Sequence, residues 1–231
     1  MDNKSATFLV AVFLTGMTNV GSAQVLEVIG CEVENAGEFV ATINSVYDAM
    51  SGGYRPTVTL LQNTFNGPSD QTHTVLLEHP DYESYQAWTG RFGQAPAAQL
   101  VLARSADNQD CGNQGLAIER ASWGDRDAEW GYNAVFVVTT SDEEAYVAAL
   151  ADLLTSDTGE NAPGASILYE SRAGSTSTHV VALLAPDFAT LNNYLDTLFE
   201  SDDFEDFIDE VAEIRSLGLR TQNRRVRTWE P

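Results

Sequence analysis

The sequence predicts an α+β protein in which two copies of one βαββαβ unit pack against each other as a pseudo-dimer within a single chain. Three observations lead there. The stretch HTVLLEHPDY at 73–82 returns as HVVALLAPDF at 179–188. Strand-like and helix-like patterns follow each other in the same order in both halves. Two cysteines, Cys31 and Cys111, stand where that order of elements would bring them together.

In the first half, VLEVIGCEVE (25–34) is short and β-branched, which predicts a strand. Residues 35–50 place Phe39, Ile43, Val46 and Met50 on one helical stripe behind Asn35 as N-cap. SGGYRP then breaks the helix. The runs 57–65 and 72–79 flank NGPSDQ, whose Asn, Gly and Pro are turn-formers, so they predict a hairpin. Asp81 caps a helix carrying Tyr82, Tyr85 and Trp88; a helix at 95–106 and a strand at 116–123 complete the unit. The second half predicts strand 133–140, helix 141–155, strands 165–172 and 178–185, helices 188–199 and 203–216, and strand 222–229.

A shift of 106 or 107 positions superposes the halves. Pro56 meets Pro163, Phe39 and Ile43 meet Tyr146 and Leu150, and Trp123 meets Trp229. His73, Pro80 and Asp81 meet His179, Pro186 and Asp187. The expected units are 24–127 and 128–231, each a split βαβ arrangement of the ferredoxin-like kind. Its usual strand order, four-one-three-two, sets the end of the first strand beside the start of the fourth, where Cys31 and Cys111 would meet.

Residues 1–23 read as a secretory signal peptide: Lys4, an apolar run from Ala6 to Leu14, and the small residues Gly21 and Ala23 before a cut at Gln24. The expected location is therefore periplasmic or extracellular, where an even cysteine pair forms a disulfide. Lys4 is the only lysine in a chain of net charge −22. Such a field repels nucleic acid and anionic membranes, and no segment after the leader is apolar enough to span a bilayer. A small-molecule ligand and self-association are the partners left open. The acidic run from Glu200 to Glu210 lacks the glycine and ligand spacing of a calcium loop and reads as an amphipathic helix.

On these elements the chain resembles the dimeric α/β-barrel superfamily, with its antibiotic-biosynthesis-type monooxygenases, haem-degrading monooxygenases and chlorite-dismutase-like proteins. The resemblance covers the mature chain as a fused pseudo-dimer and rests on element order, with no diagnostic motif. It implies a ligand cavity between sheet and helices or within the barrel, and no cofactor is assigned. Strand alternation places Trp123, Arg225, Arg227 and Trp229 on the lumen side, with Thr59, Asn63 and Glu170 as further interior candidates. His73 and His179 read as bases or ligands if functional, and as strand-start residues if structural. Asn63, Trp88 and His73 are the residue types that haem-degrading relatives gather around haem, without alignable spacing. No nucleophile elbow, metalloprotease helix, P-loop or dinucleotide fingerprint occurs, and no metal site is expected. Three functions follow: small-molecule binding or scaffolding without catalysis; a cofactor-independent or haem-dependent monooxygenase; and a subunit that assembles through sheet edges.

Overall fold

A computed structural model of the chain describes residues 24–231; the predicted signal peptide lies outside them. The first half contains β1 (Val25–Val33), α1 (Ala36–Ala49), β2 (Thr57–Phe65), β3 (His73–His79), α2 (Tyr82–Gly93), α3 (Pro96–Ser105) and β4 (Gln109–Trp123). The second contains β5 (Tyr132–Thr140), α4 (Glu143–Leu154), β6 (Ser166–Ala173), β7 (His179–Ala185), α5 (Phe188–Phe199), α6 (Asp202–Val211) and β8 (Arg215–Trp229).

All neighbouring strands are antiparallel, and they close into one barrel of order β1-β3-β2-β8-β5-β7-β6-β4. Each half thus supplies a four-one-three-two sheet. The two sheets face each other and are also joined edge to edge, β2 to β8 and β4 to β6. Closure satisfies backbone groups that two stacked sheets would leave bare. Helices cover the outside, and the Cys31–Cys111 disulfide ties β1 to β4 with a Cα separation of 4.1 Å.

The fourth strands are longer than the sequence predicts. β4 begins at Gln109 and β8 at Arg215, about seven residues before the expected starts. The early part of β4 pairs with β1 alone, and that of β8 with β5 alone, so each overhang keeps one free edge. The polar, glycine-containing QDCGNQG has little strand character of its own, and its ladder to β1 imposes the conformation. The acidic helix, expected to run to 216, instead stops at Val211, and Arg215 and Ser216 already belong to β8.

Two irregularities correct the expected lumen. The pairing shifts between Glu119 and Ala121 on β4 and between Arg225 and Arg227 on β8, a bulge in the same place in each half. An extra residue reverses the alternation beyond it. Arg225 therefore points into the barrel, whereas Arg227 and Trp229 face outward; Val226, expected under the helices, is exposed at the bulge. Trp229 packs on the first half's core and Trp123 on the second's, so each closes over the helices of the opposite unit. Second, β2 matches β6 with an offset of 108: Gln62 pairs with His73 as Glu170 pairs with His179. A one-residue slip exchanges faces. Glu170 consequently lies on the helix side, bound to Arg120 at 3.1 Å and Arg172 at 2.9 Å, while Asn63 does line the lumen.

Each half has its own apolar core between sheet and helices, and a third apolar cluster lies inside the barrel. The helix caps repeat too. Asp81 accepts from the Ser84 amide at 2.7 Å and Asp187 from the Thr190 amide at 2.9 Å, giving the recurrent Pro-Asp its structural work. Asn35 caps α1 by accepting from the Gly37 and Glu38 amides. Asn35→Ala is expected to cost about 1 kcal/mol, read from the midpoint of urea unfolding.

Candidate functional site

A cavity of about 380 Å³ lies in the first half, between the sheet and helices α1, α2 and α3. Its walls are apolar: Ile29, Val75 and Leu77 from the strands, Phe39 from α1, Trp88 and Phe92 from α2. The disulfide forms part of one wall. Glu27 is the only charged side chain among the lining residues. Strand alternation puts it on the face of Val25, Ile29 and Cys31, where an apolar residue is the rule. Among the described residues no group donates to its carboxylate, and burial raises its pKa above the usual carboxylate range.

Beside it stands an aromatic and imidazole cluster. Tyr85 is close enough to Glu27 that the carboxylate, added to burial, raises the phenol's pKa. The His79 ring meets Tyr85 edge-on at 5.3 Å. His79 is 1% exposed; its Nδ1 is 3.3 Å from the Tyr54 hydroxyl, and its buried Nε2 has no partner. Burial lowers the imidazole's pKa to about 4, with Asp81 opposing. Tyr54 is itself pushed up to about 12, chiefly by burial. His79 is therefore neutral, and with Tyr54 as donor it holds its proton on Nε2. Arg91 donates to the carbonyls of Tyr54 and Met50 at 2.7 and 2.8 Å, fixing the loop that carries Tyr54.

The second half serves as an internal control. Glu27 pairs with Leu77 where Ala134 pairs with Leu183, and His79 pairs with Val25 where Ala185 pairs with Tyr132. Tyr85 corresponds to Leu191, fully buried. The equivalent cavity is smaller, about 260 Å³, and is narrowed by Phe136, Phe199 and Phe204. Its charged residues are Arg215 and Arg220, stacked over phenylalanine rings. The carboxylate and imidazole belong to the first half alone.

No family model matches the chain, and no curated protein does. Solved structures do. A candidate monooxygenase from Fusobacterium nucleatum superposes with a TM-score of 0.61 at 13% identity, over 90% of this chain and 94% of that one. A candidate monooxygenase from Lactobacillus acidophilus gives 0.59 at 7% identity, over 90% and 96%. An anthrone oxidase-like protein gives 0.58 at 11% identity, over 90% and 93%. The fold is the dimeric α/β barrel. Identities this low carry the fold and no residue roles.

The barrel separates the residues that sequence alone grouped together. Asn63 lies inside it, donating to the Gln71 carbonyl and accepting from Thr74, while Trp88 and His73 lie on the helix side of the sheet. His73 and His179 hold matching positions. Each Nδ1 is 2.9 Å from the hydroxyl of the preceding threonine, Thr72 or Thr178. Each threonine accepts from the amide of Val33 or Thr140 at the end of the unit's first strand. Burial lowers both pKa values; near His179 the carboxylates of Glu143 and Glu170 oppose it.

Haem, one cofactor implied by the resemblance, needs an axial donor facing a cavity. No histidine lines either sheet–helix cavity or the lumen, both cysteines are oxidised, and burial keeps the lining phenols of Tyr47, Tyr146 and Tyr169 protonated, which disfavours a tyrosinate ligand. The residues present do not fit haem. Glu27, the residue best placed for chemistry, was missed by the sequence reading. Its signal was a lone acidic residue on the inward face of VLEVIG.

Proposed function

We propose that this protein is exported and binds an apolar, ring-sized molecule with a weakly acidic group in the first-half cavity, where Glu27 accepts its proton or hydrogen bond. The observation that carries this is the contrast between equivalent positions: an unpartnered carboxylate in an apolar cavity on one side, alanine on the other. A half-buried carboxylate with no protein partner among the described residues loses part of its hydration, a cost that alanine at the equivalent position does not carry. Export is supported by the leader-like start and the disulfide, and self-association is left open.

A second reading, cofactor-independent oxygenation, is favoured by the same carboxylate. Glu27 removes a proton from an acidic C–H or O–H, and the resulting anion reacts with dioxygen. With anthrone as the probe, one dioxygen yields anthraquinone and water. Titration with anthrone under argon, followed by tryptophan fluorescence with Trp88→Phe as control, tests binding. Saturable quenching that weakens at least tenfold in Glu27→Gln is the expected result; no quenching sinks the proposal. Oxygen uptake by wild type that is lost in Glu27→Gln favours the oxygenase reading. Binding without uptake leaves a binding protein.

A further inference from the structure

The barrel encloses a second space, about 410 Å³, lined by strands of both halves. Exposed Leu219 and Glu230, toward opposite ends of β8, are among the residues around it. Its two walls differ. On the β2, β8 and β5 side stand Thr59, Asn223 and Asn133, 4%, 6% and 3% exposed. Their counterparts across the pseudo-twofold axis are apolar. Thr59 pairs with Leu76 where Ile167 pairs with Ala182. Asn223 pairs with Asn133 where Ala117 pairs with Leu26. Thr59, Thr228, Asn133 and Asn223 give one wall its hydroxyls and amides, set among Leu61 and Val135, whereas Ile167, Ala117, Leu26 and the ring of Tyr169 stand on the other.

The amides are not spent on each other. Asn223 Nδ2 donates to Asn133 Oδ1 at 2.9 Å, which leaves Asn133 Nδ2 as a donor and Asn223 Oδ1 as an acceptor side by side. Among the described residues neither atom has a protein partner, and both asparagines line the lumen. Thr59 and Thr228 share one hydrogen bond at 3.2 Å, which leaves one hydroxyl proton to give. The charged side chains around it are Arg126, bound to Glu119 and Glu78, Arg225, 3.6 Å from Glu129 and over the Trp130 ring, and Glu230, which accepts from the Thr57 hydroxyl. The middle of the lumen offers neutral donors and acceptors on one side and an apolar surface on the other.

We infer that the lumen is a second ligand site, distinct from the first-half cavity, for a neutral hydroxylated ring with one apolar face, such as a pyranoside. A charged ligand would lose its hydration against a wall whose one cation, Arg225, is already held by Glu129 and the Trp130 ring. A wholly apolar one would leave the two asparagines without partners. A pyranose presents vicinal hydroxyls, each donor and acceptor, along its edge and C–H groups on its face.

The test is calorimetry with methyl and phenyl pyranosides of glucose, galactose and xylose, alongside side-chain amide NMR of the wild-type protein. The expected result is saturable binding that shifts the Asn133 and Asn223 amide signals. It weakens at least tenfold in the Asn133→Leu, Asn223→Leu double variant and is unchanged in Glu27→Gln. Thr59→Val serves as a milder variant if the double one does not fold. The inference is overturned if no pyranoside binds, if the two amide signals stay still during binding, or if Glu27→Gln abolishes it.

Discussion

Cys31→Ser with Cys111→Ser, or reduction of the native protein, lowers stability by about 4 kcal/mol, the figure that chain entropy gives for a crosslink of this span. The half-cystines are 80 residues apart in sequence, so the bridge removes a large loop from the unfolded ensemble. In a domain of this size that is a fall in Tm of roughly 10 to 15 °C. The loss starts locally. Cys111 lies in the overhang of β4, whose only ladder is to β1, so the bridge fastens a segment with one free edge. Without it, amides of 109–115 exchange fastest, and the first-half cavity, part of whose wall is the disulfide, loosens. Calorimetry with and without reductant checks the global effect, and hydrogen exchange the local one. Melting curves that coincide would show the bridge to be incidental.

Architecture was legible because duplication printed it twice. A strand, a capped helix, a hairpin and a second pair of helices recur in order, and the Pro-Asp caps occupy the same positions in both halves. The element order even placed the disulfide correctly. What the sequence concealed was parity. One bulged residue at Arg120 and another at Val226, and one extra residue of offset at β6, were enough to turn Trp123, Trp229, Arg227 and Glu170 away from the lumen. Alternation of side chains holds only within an unbroken ladder, and nothing in ERASWG or RRVRTW announces the break.

The candidate site was hidden for a related reason. Repetition in the sequence picks out the features shared by the halves, His73 and His179 among them, and shared features serve the shared fold. Glu27, on the cavity wall, differs from its counterpart Ala134, and His79 and Tyr85, outside that wall, differ from Ala185 and Leu191; that difference marks the candidate site. In a duplicated protein the asymmetric positions hold the information about function. The lumen repeats the lesson, with Asn133 and Asn223 standing against Leu26 and Ala117.

His79 makes the second large effect, a loss of stability on acidification. Its folded-state pKa is about 4, against an ordinary value of 6.5. Between those values the unfolded chain binds a proton that the folded one refuses, so stability falls as pH falls. The contribution is complete above pH 6.5, declines through the interval and is gone below pH 4, a total of about 3 kcal/mol. Other groups act in the opposite direction. Glu27 and Glu78 have raised pKa values, so their protonation favours the fold, and neutralising carboxylates relieves self-repulsion in a chain of net charge −22. The wild-type profile alone therefore does not isolate the imidazole; the difference from His79→Phe does. Phenylalanine fills the place between Tyr54 and Tyr85 without a titrating nitrogen, and every carboxylate is kept. Urea unfolding of both proteins at intervals from pH 7.5 to 4 is expected to show the variant gaining on wild type by about 3 kcal/mol as the medium acidifies. Parallel profiles would mean that His79 titrates normally, and with it would go the neutral, Tyr54-bound imidazole.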